Sequence, residues 1–291
     1  MTRRILVVVN PHRTETVEAG EVVARVLAAE GVETCFSYDP GVSEPIEAAI
    51  VLGGDGTMLH AAEVTHGSHI PLLGVNLGRV GFLAELERED VTQAAVRLAA
   101  GDYHVEERRT LEVCVINPDG TRHGGWALNE ATLERGNLRS TLEVAVEVDG
   151  RPLSTFGCDG VIVSTATGST AHAFSAGGPV LWPNVDALLF VPLAAHALFA
   201  RPLVVGPDSF FAVEVLERSE SPGQVILDGS RSIDVPLGGR LEVRRAEATV
   251  LLARMNDEPF TERLVNKFSL PTNGWRGERP SRATTRLAAG S

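Results

Sequence analysis

The chain has 291 residues, 44% hydrophobic and 22% charged, with a formal net charge of −12. This length and balance fit one large or two ordinary soluble domains, and the acidic excess argues against a general nucleic-acid binder. No apolar run reaches the length of a bilayer span. The cysteines (Cys35, Cys114, Cys158) lie far apart without a CxxC pair, which argues against a disulfide framework or a zinc site. Lys267 is the single lysine, so Walker, kinase-strand and Schiff-base devices that need a lysine elsewhere are excluded. The opening "MTRRILVVVNPHR" breaks at Asn10-Pro11 and lacks a small-residue cleavage site, so it reads as a first strand of a cytoplasmic protein.

In chain order, "ILVVV" (5–9) predicts a buried strand, and Val17, Val22, Val23, Val26 and Leu27 recur at helical spacing until Gly31. Short apolar strands follow at 32–38, 48–54 and 70–76, with helical pieces at 57–64 and 89–101. Alternation at this spacing is the signature of a parallel α/β sheet. From about residue 105 the period changes to two: 110–116, 140–148, 210–216, 223–227 and 239–246 read as antiparallel strands. Asp149-Gly150 between two of them is a hairpin signal. The expected organisation is an α/β domain over 1–104 and a mostly antiparallel β-sandwich over 105–265. A segment over 266–277 would return to the first domain, and 278–291 would form a disordered tail.

Within this frame, "VLGGDGTMLHAAE" runs a strand into Gly53, Gly54, Asp55, Gly56 and Thr57 and then into a helix. Free amides at a helix start attract phosphate oxygens. A carboxylate there is out of place unless Asp55 meets Mg²⁺ or takes a proton from an attacking group; an ordinary helix cap is the plainer reading. A second glycine turn, "GVNLGRVGFLAE" (74–85), offers Arg79 to a phosphate. "WALNEATL" (126–133) puts Asn129 and Glu130 side by side inside an apparent strand, so at least one points inward or into a cleft. Asp159 precedes the buried "VIVST", which opens into "STATGSTAHAFSAGGP" (164–179). The glycines and hydroxyls of that stretch resemble a ligand cradle, with His172 placed to stack. His66 and His69 have metal-like spacing but no third ligand nearby, so no protein-held metal is expected.

The combination resembles bacterial NAD kinases, with an actinobacterial cast. It rests on GGDGT (53–57), "GVNLGRVGFLAE", "ALNE" (127–130), "GCDG" (157–160), "TGSTA…FSAGGP" (168–179), "AHALFARP" (195–202) and "RLVNKFSLPTNGWRG", in one order from about residue 5 to Gly277. The resemblance implies phosphoryl transfer to the 2′-hydroxyl of the adenosine ribose of NAD, giving NADP. ATP or polyphosphate would be the donor with Mg²⁺, in a homodimer or homotetramer. It implies Asp55 as the catalytic aspartate, Gly56 beside it, and Asn129 with Glu130 as the pair holding NAD. Asp159 would lie near the nicotinamide side, with Thr170, Ala171, His172, Ala173, Phe174 and Ser175 around the adenosine, and His60 near the same ligand.

Three positions depart from the family pattern: Ala166 for a usual proline, His172 for a usual tyrosine, and His60 for a usual arginine or lysine. They bear on NAD affinity more than on chemistry, and they fit a divergent second copy. Two alternatives stay open at this point. One is a non-catalytic NAD-binding paralogue. The other is a lipid kinase of the diacylglycerol or sphingosine type, which shares GGDGT but lacks "TGSTA…FSAGGP" and "GWRG".

Overall fold

The computed structural model describes residues 3–39, 41, 45–78, 81–137, 139–256 and 258–272. The described residues up to 256 form one compact unit and those over 258–272 belong to a second. The first unit opens with β1 (Arg4–Val9), α1 (Thr14–Ala29), β2 (Glu33–Cys35), β3 (Ala48–Leu52), α2 (Asp55–Val64), β4 (Leu72–Asn76), β5 (Leu86–Glu87) and α3 (Val91–Ala100). It continues through β6 (His104–Ile116), β7 (Arg122–Ala127), β8 (Glu130–Arg135), β9 (Leu142–Val148), β10 (Arg151–Cys158) and β11 (Gly160–Ser164). After the short α4 (His172–Ser175) come β12 (Leu188–Leu193), β13 (Leu203–Val205), β14 (Phe210–Val215), β15 (Gly223–Leu227), β16 (Arg231–Val235) and β17 (Arg240–Arg254). The described part of the second unit carries α5 (Phe260–Phe268), ended by Ser269 in the left-handed region at φ 49°. The expected tail and "GWRG" lie outside the described residues.

Strands β2, β1, β3 and β4 pair in parallel, as the alternating pattern requires. The chain crosses from β1 to β2 on one side and then to β3 on the other, so the crevice at the carboxyl ends of β1 and β3 is a topological switch point. The glycine turn after β3 sits there. The α/β and β-rich parts share one continuous sheet. The N-terminal half of β17 pairs with β14 and β6, and its Leu252 lies parallel to Leu72 of β4. The period-two reading stopped this strand at 246, whereas it runs on to Arg254.

The second sheet, β13-β12-β11-β8-β15-β16, is antiparallel throughout and faces the β-rich end of the first. Alternate residues interdigitate between them: Leu111, Val113, Val144, Phe211 and Val243 from one sheet, and Leu133, Val163, Phe190 and Val225 from the other. Asp149 (φ 53°) and Gly150 (φ 71°) make the expected tight hairpin between β9 and β10. The parallel sheet is covered on one face by α1 and α3. On the other face α2 packs through Met58, Ala61 and Ala62, with Leu83, Leu128 and Val250 in the same cluster.

Candidate active site

Helix α2 begins at Asp55, with extended Gly54 as its N-cap. The amide of Gly53 donates to Val75 O at 3.0 Å, and those of Thr57 and Met58 donate to Gly54 O at 2.9 and 3.1 Å. The amides of Gly54, Asp55 and Gly56 have no partner among the described residues. These three are the donors a helix start offers to an anion. The carboxylate of Asp55 is tied down: Oδ1 accepts from Phe82 N and Leu83 N at 3.0 Å each, and Oδ2 from Phe82 N at 3.1 Å. That contact requires the second glycine turn to come very close. A Cβ on Gly81 would lie 2.2 Å from Asp55 Oδ1, so only glycine leaves room for the carboxylate. Sequence reasoning missed this partnership. Arg79 lies outside the described residues.

Asn129 and Glu130 do not sit within one strand, contrary to the sequence reading. Strand β7 ends at Ala127 in the first sheet, and β8 starts at Glu130 in the second. The reason is hydrogen bonding. The amides of Leu128, Asn129 and Glu130 donate to the Asp228 carboxylate at 2.8, 2.7 and 3.3 Å, which takes them out of a ladder. The carbonyls go elsewhere: Leu128 O accepts from Thr165 Oγ1 at 2.7 Å, Asn129 O from Thr165 N at 2.9 Å, and Glu130 O from Asp228 N at 3.1 Å. Every backbone group of the bend is thereby satisfied.

The side chains are not. Asn129 Oδ1 and Glu130 Oε2 are buried without a hydrogen-bond partner. Burial, reinforced by the Asp228 charge and partly offset by a backbone hydrogen bond from His172, pushes the Glu130 carboxyl up to about 8. A buried acid held neutral beside an orphaned acceptor is a pair awaiting a polar ligand.

The glycine-rich stretch is more regular than its composition implied, with a 3-10 turn at Gly168–Thr170 followed by α4. Gly168 is required: a Cβ there would lie 2.2 Å from Asn129 O. The stretch therefore packs directly on the bend, and the His172 amide reaches Glu130. The side chains of His172, Phe174 and Ser175 are exposed on α4, Thr170 and Ala171 are half-buried, and Ala173 is buried. Ala166 is buried, and its carbonyl accepts from Ser169 Oγ at 2.7 Å.

Two expected residues stand apart. Asp159 lies before Gly160, whose partner in β8 is Glu134, whereas Glu130 pairs with Ser164 at the other end of β11. Asp159 instead bridges Arg135 at 2.6 Å. His60 is exposed on α2 and helps line a cavity of about 490 Å³ with Phe36, Tyr38 and Val9. His66 stacks on Trp126 with centroids 3.9 Å apart. The Asp55 turn and the 128–130 bend meet through packing: Leu83, whose amide holds Asp55, and Leu128 share the cluster beneath α2.

Residues 38–103 match the model of the ATP-NAD kinase N-terminal domain, and residues 128–255 that of the ATP-NAD kinase C-terminal domain. The chain is 52% identical over 295 residues to the NAD kinase of Leifsonia xyli subsp. xyli, covering 94% of this chain and 97% of that one. The chain belongs to the NAD kinase family. It is a kinase, and the lipid-kinase alternative is set aside. NAD kinase 2 of Streptomyces coelicolor is 53% identical over 258 residues, covering 88% of this chain and 85% of that relative. The NAD kinase from Archaeoglobus fulgidus in complex with ATP matches with a TM-score of 0.69 at 25% identity, covering 92% of this chain and 99% of that one. Yeast NADH kinase complexed with NADH shares the fold at a TM-score of 0.84 and 20% identity, over 95% of this chain and 90% of that one. No described helix is long and apolar enough to cross a membrane.

Proposed function

We propose that this NAD kinase family member transfers a phosphoryl group from ATP or polyphosphate to the 2′-hydroxyl of the adenosine ribose of NAD, giving NADP. The observation that carries the reading is the pair of orphaned polar atoms, Asn129 Oδ1 and Glu130 Oε2, on a bend joined by packing to the Asp55 turn. Asn129 and neutral Glu130 hold the dinucleotide, and 170–175 encloses its adenosine. The Gly54, Asp55 and Gly56 amides receive donor phosphate, with Thr57 shaping the turn.

Asp55 orients the 2′-hydroxyl and takes its proton on Oδ2, the oxygen that accepts one backbone amide, where Oδ1 accepts two. Such transfer needs mainly positioning and charge neutralisation. Among the described residues no group of three or more His, Cys, Asp or Glu side chains is arranged to hold a metal. Mg²⁺ is read as part of the substrate, brought in with the phosphoryl donor, where it would neutralise phosphate charge.

The division at 104/105 separates the phosphate turn from the NAD pair, and Asp159, remote from that pair within one chain, serves the nicotinamide side. A homo-oligomeric state is favoured by exposed Leu198, Phe199 and Val204 at or just before β13, an edge strand. The three cysteines are free, in keeping with a cytoplasmic location.

The test is NADP formation with each donor, with and without Mg²⁺, by wild type and Asp55→Asn. Loss of a positioned base lowers the rate by about 10²–10⁴-fold. An asparagine variant of near-normal rate would remove this role, because its amide oxygen can still accept the Phe82 and Leu83 amides that hold the side chain in place.

A further inference from the structure

We propose that Asp228 is a positioning residue: its carboxylate holds the Leu128–Glu130 bend in place and, through Arg231, locks that bend to the helix that begins at Asp55. The inference rests on the function proposed above and names a residue that the motif reading passed over.

The geometry is specific. Asp228 lies in the turn between β15 and β16, its side chain is 4% exposed, and its backbone is in the left-handed region at φ 49°. A non-glycine residue rarely adopts that conformation, and aspartate tolerates it better than most. Its two oxygens accept three successive amides at 2.7–3.3 Å. Arg231 then donates to Oδ2 at 3.0 Å. The same guanidinium lies 3.6 Å from Glu63 of α2 and 4.6 Å from the ring centroid of Trp126. Residues from α2, from β7 and from the β15–β16 turn therefore meet at Arg231. Asn129 and Glu130 are aimed by backbone groups that themselves hang on Asp228.

A second consequence concerns charge. Asp228 is the charged group acting on the buried Glu130 carboxyl, and His172 faces it through its backbone amide. Removing the Asp228 charge lowers the pH at which Glu130 ionises.

The experiment compares wild type, Asp228→Asn and Arg231→Gln for melting temperature, for KM with NAD and with ATP, and for the pH profile of kcat/KM for NAD. Asp228→Asn should raise KM for NAD at least about tenfold, the loss expected when hydrogen bonds to a charged group are removed. KM for ATP should stay within about twofold, and the alkaline fall in the profile, expected in wild type from ionisation of Glu130, should move to lower pH. Arg231→Gln leaves the three amide bonds and cuts the tie to Glu63, so its effect on kcat should exceed its effect on KM for NAD. An Asp228→Asn protein with unchanged KM for NAD and an unshifted profile overturns the proposal. If that variant does not fold, Arg231→Gln decides, and wild-type kinetics in it overturn the proposal. A folded wild type without NADP formation from either donor defeats the functional reading itself, a separate result.

Discussion

Replacing Glu130 with glutamine tests whether this carboxyl is neutral at physiological pH. Glutamine copies the shape of the protonated acid and cannot ionise. In the folded protein burial and Asp228 raise the Glu130 carboxyl from 4.5 to about 8. Because this folded value lies above the unfolded one, the folded state binds the extra proton between them. Stability of wild type therefore falls as pH rises through that window, by about 1.4 kcal/mol per unit from this group alone. Glu130→Gln lacks the term, and the other titrating groups are common to both proteins. Between about pH 5.5 and 7.5 the variant should gain roughly 3 kcal/mol relative to wild type, and the difference should level off above the folded midpoint. Urea unfolding at four pH values measures it directly, read as the difference between midpoints at constant slope. Parallel stability curves would show that Glu130 ionises as an ordinary surface carboxylate. The inferred neutral donor at the NAD pair would then be wrong.

Gly81→Ala places a methyl group where Asp55 Oδ1 now sits, 2.2 Å away, so the carboxylate or the 82–83 turn must shift. Displacing a reacting group by about 1 Å lowers rate on the order of 10²-fold, so kcat should fall that far with KM for NAD little changed; near-normal kcat would disprove the clamp. His172→Tyr restores a larger ring on exposed α4 and should lower KM for NAD about two- to tenfold, from roughly 0.5–1.5 kcal/mol of stacking. An unchanged KM would show that His172 does not stack on the adenine. Light scattering at micromolar protein should give at least twice the monomer mass, and a single monomeric species would defeat the oligomer.

Much of the frame was legible because it is written in local pattern. The apolar runs 5–9, 48–54 and 70–76 and the period-two segments after 105 each hold a strand, and Asp149-Gly150 became the hairpin it signalled. GGDGT was legible as a turn between strand and helix. Its carboxylate's partners were not, because Phe82 and Leu83 lie 27 and 28 residues downstream and donate through backbone, which carries no residue signature. The break at 128–130 was hidden for the same reason. "WALNEATL" has the composition of one strand, and only Asp228, about a hundred residues later, draws off its amides. A signal did exist: Asp228-Gly229 between apolar runs is the same hairpin dipeptide as Asp149-Gly150, here with its aspartate buried.

The arrangement of the sheets holds two motifs so distant in sequence in one framework. Strand β17 joins the parallel and antiparallel parts, so the carboxyl end of β3, with the Asp55 turn, is held in one framework with the sandwich. The bend at 128–130 is where the chain leaves the first sheet for the second, and backbone at such a passage has no ladder to satisfy it. Its amides must find another acceptor or remain unpaired at a cost of about 1–3 kcal/mol each. Asp228 supplies that acceptor, and Thr165 and Ser164 supply the donors for the carbonyls. With the backbone satisfied from both sides, the side chains of Asn129 and Glu130 are left with polar atoms that the protein does not use. On the function proposed above, a polar phosphate-bearing substrate would use both this buried, unspent hydrogen-bonding capacity and the three open amides at the start of α2.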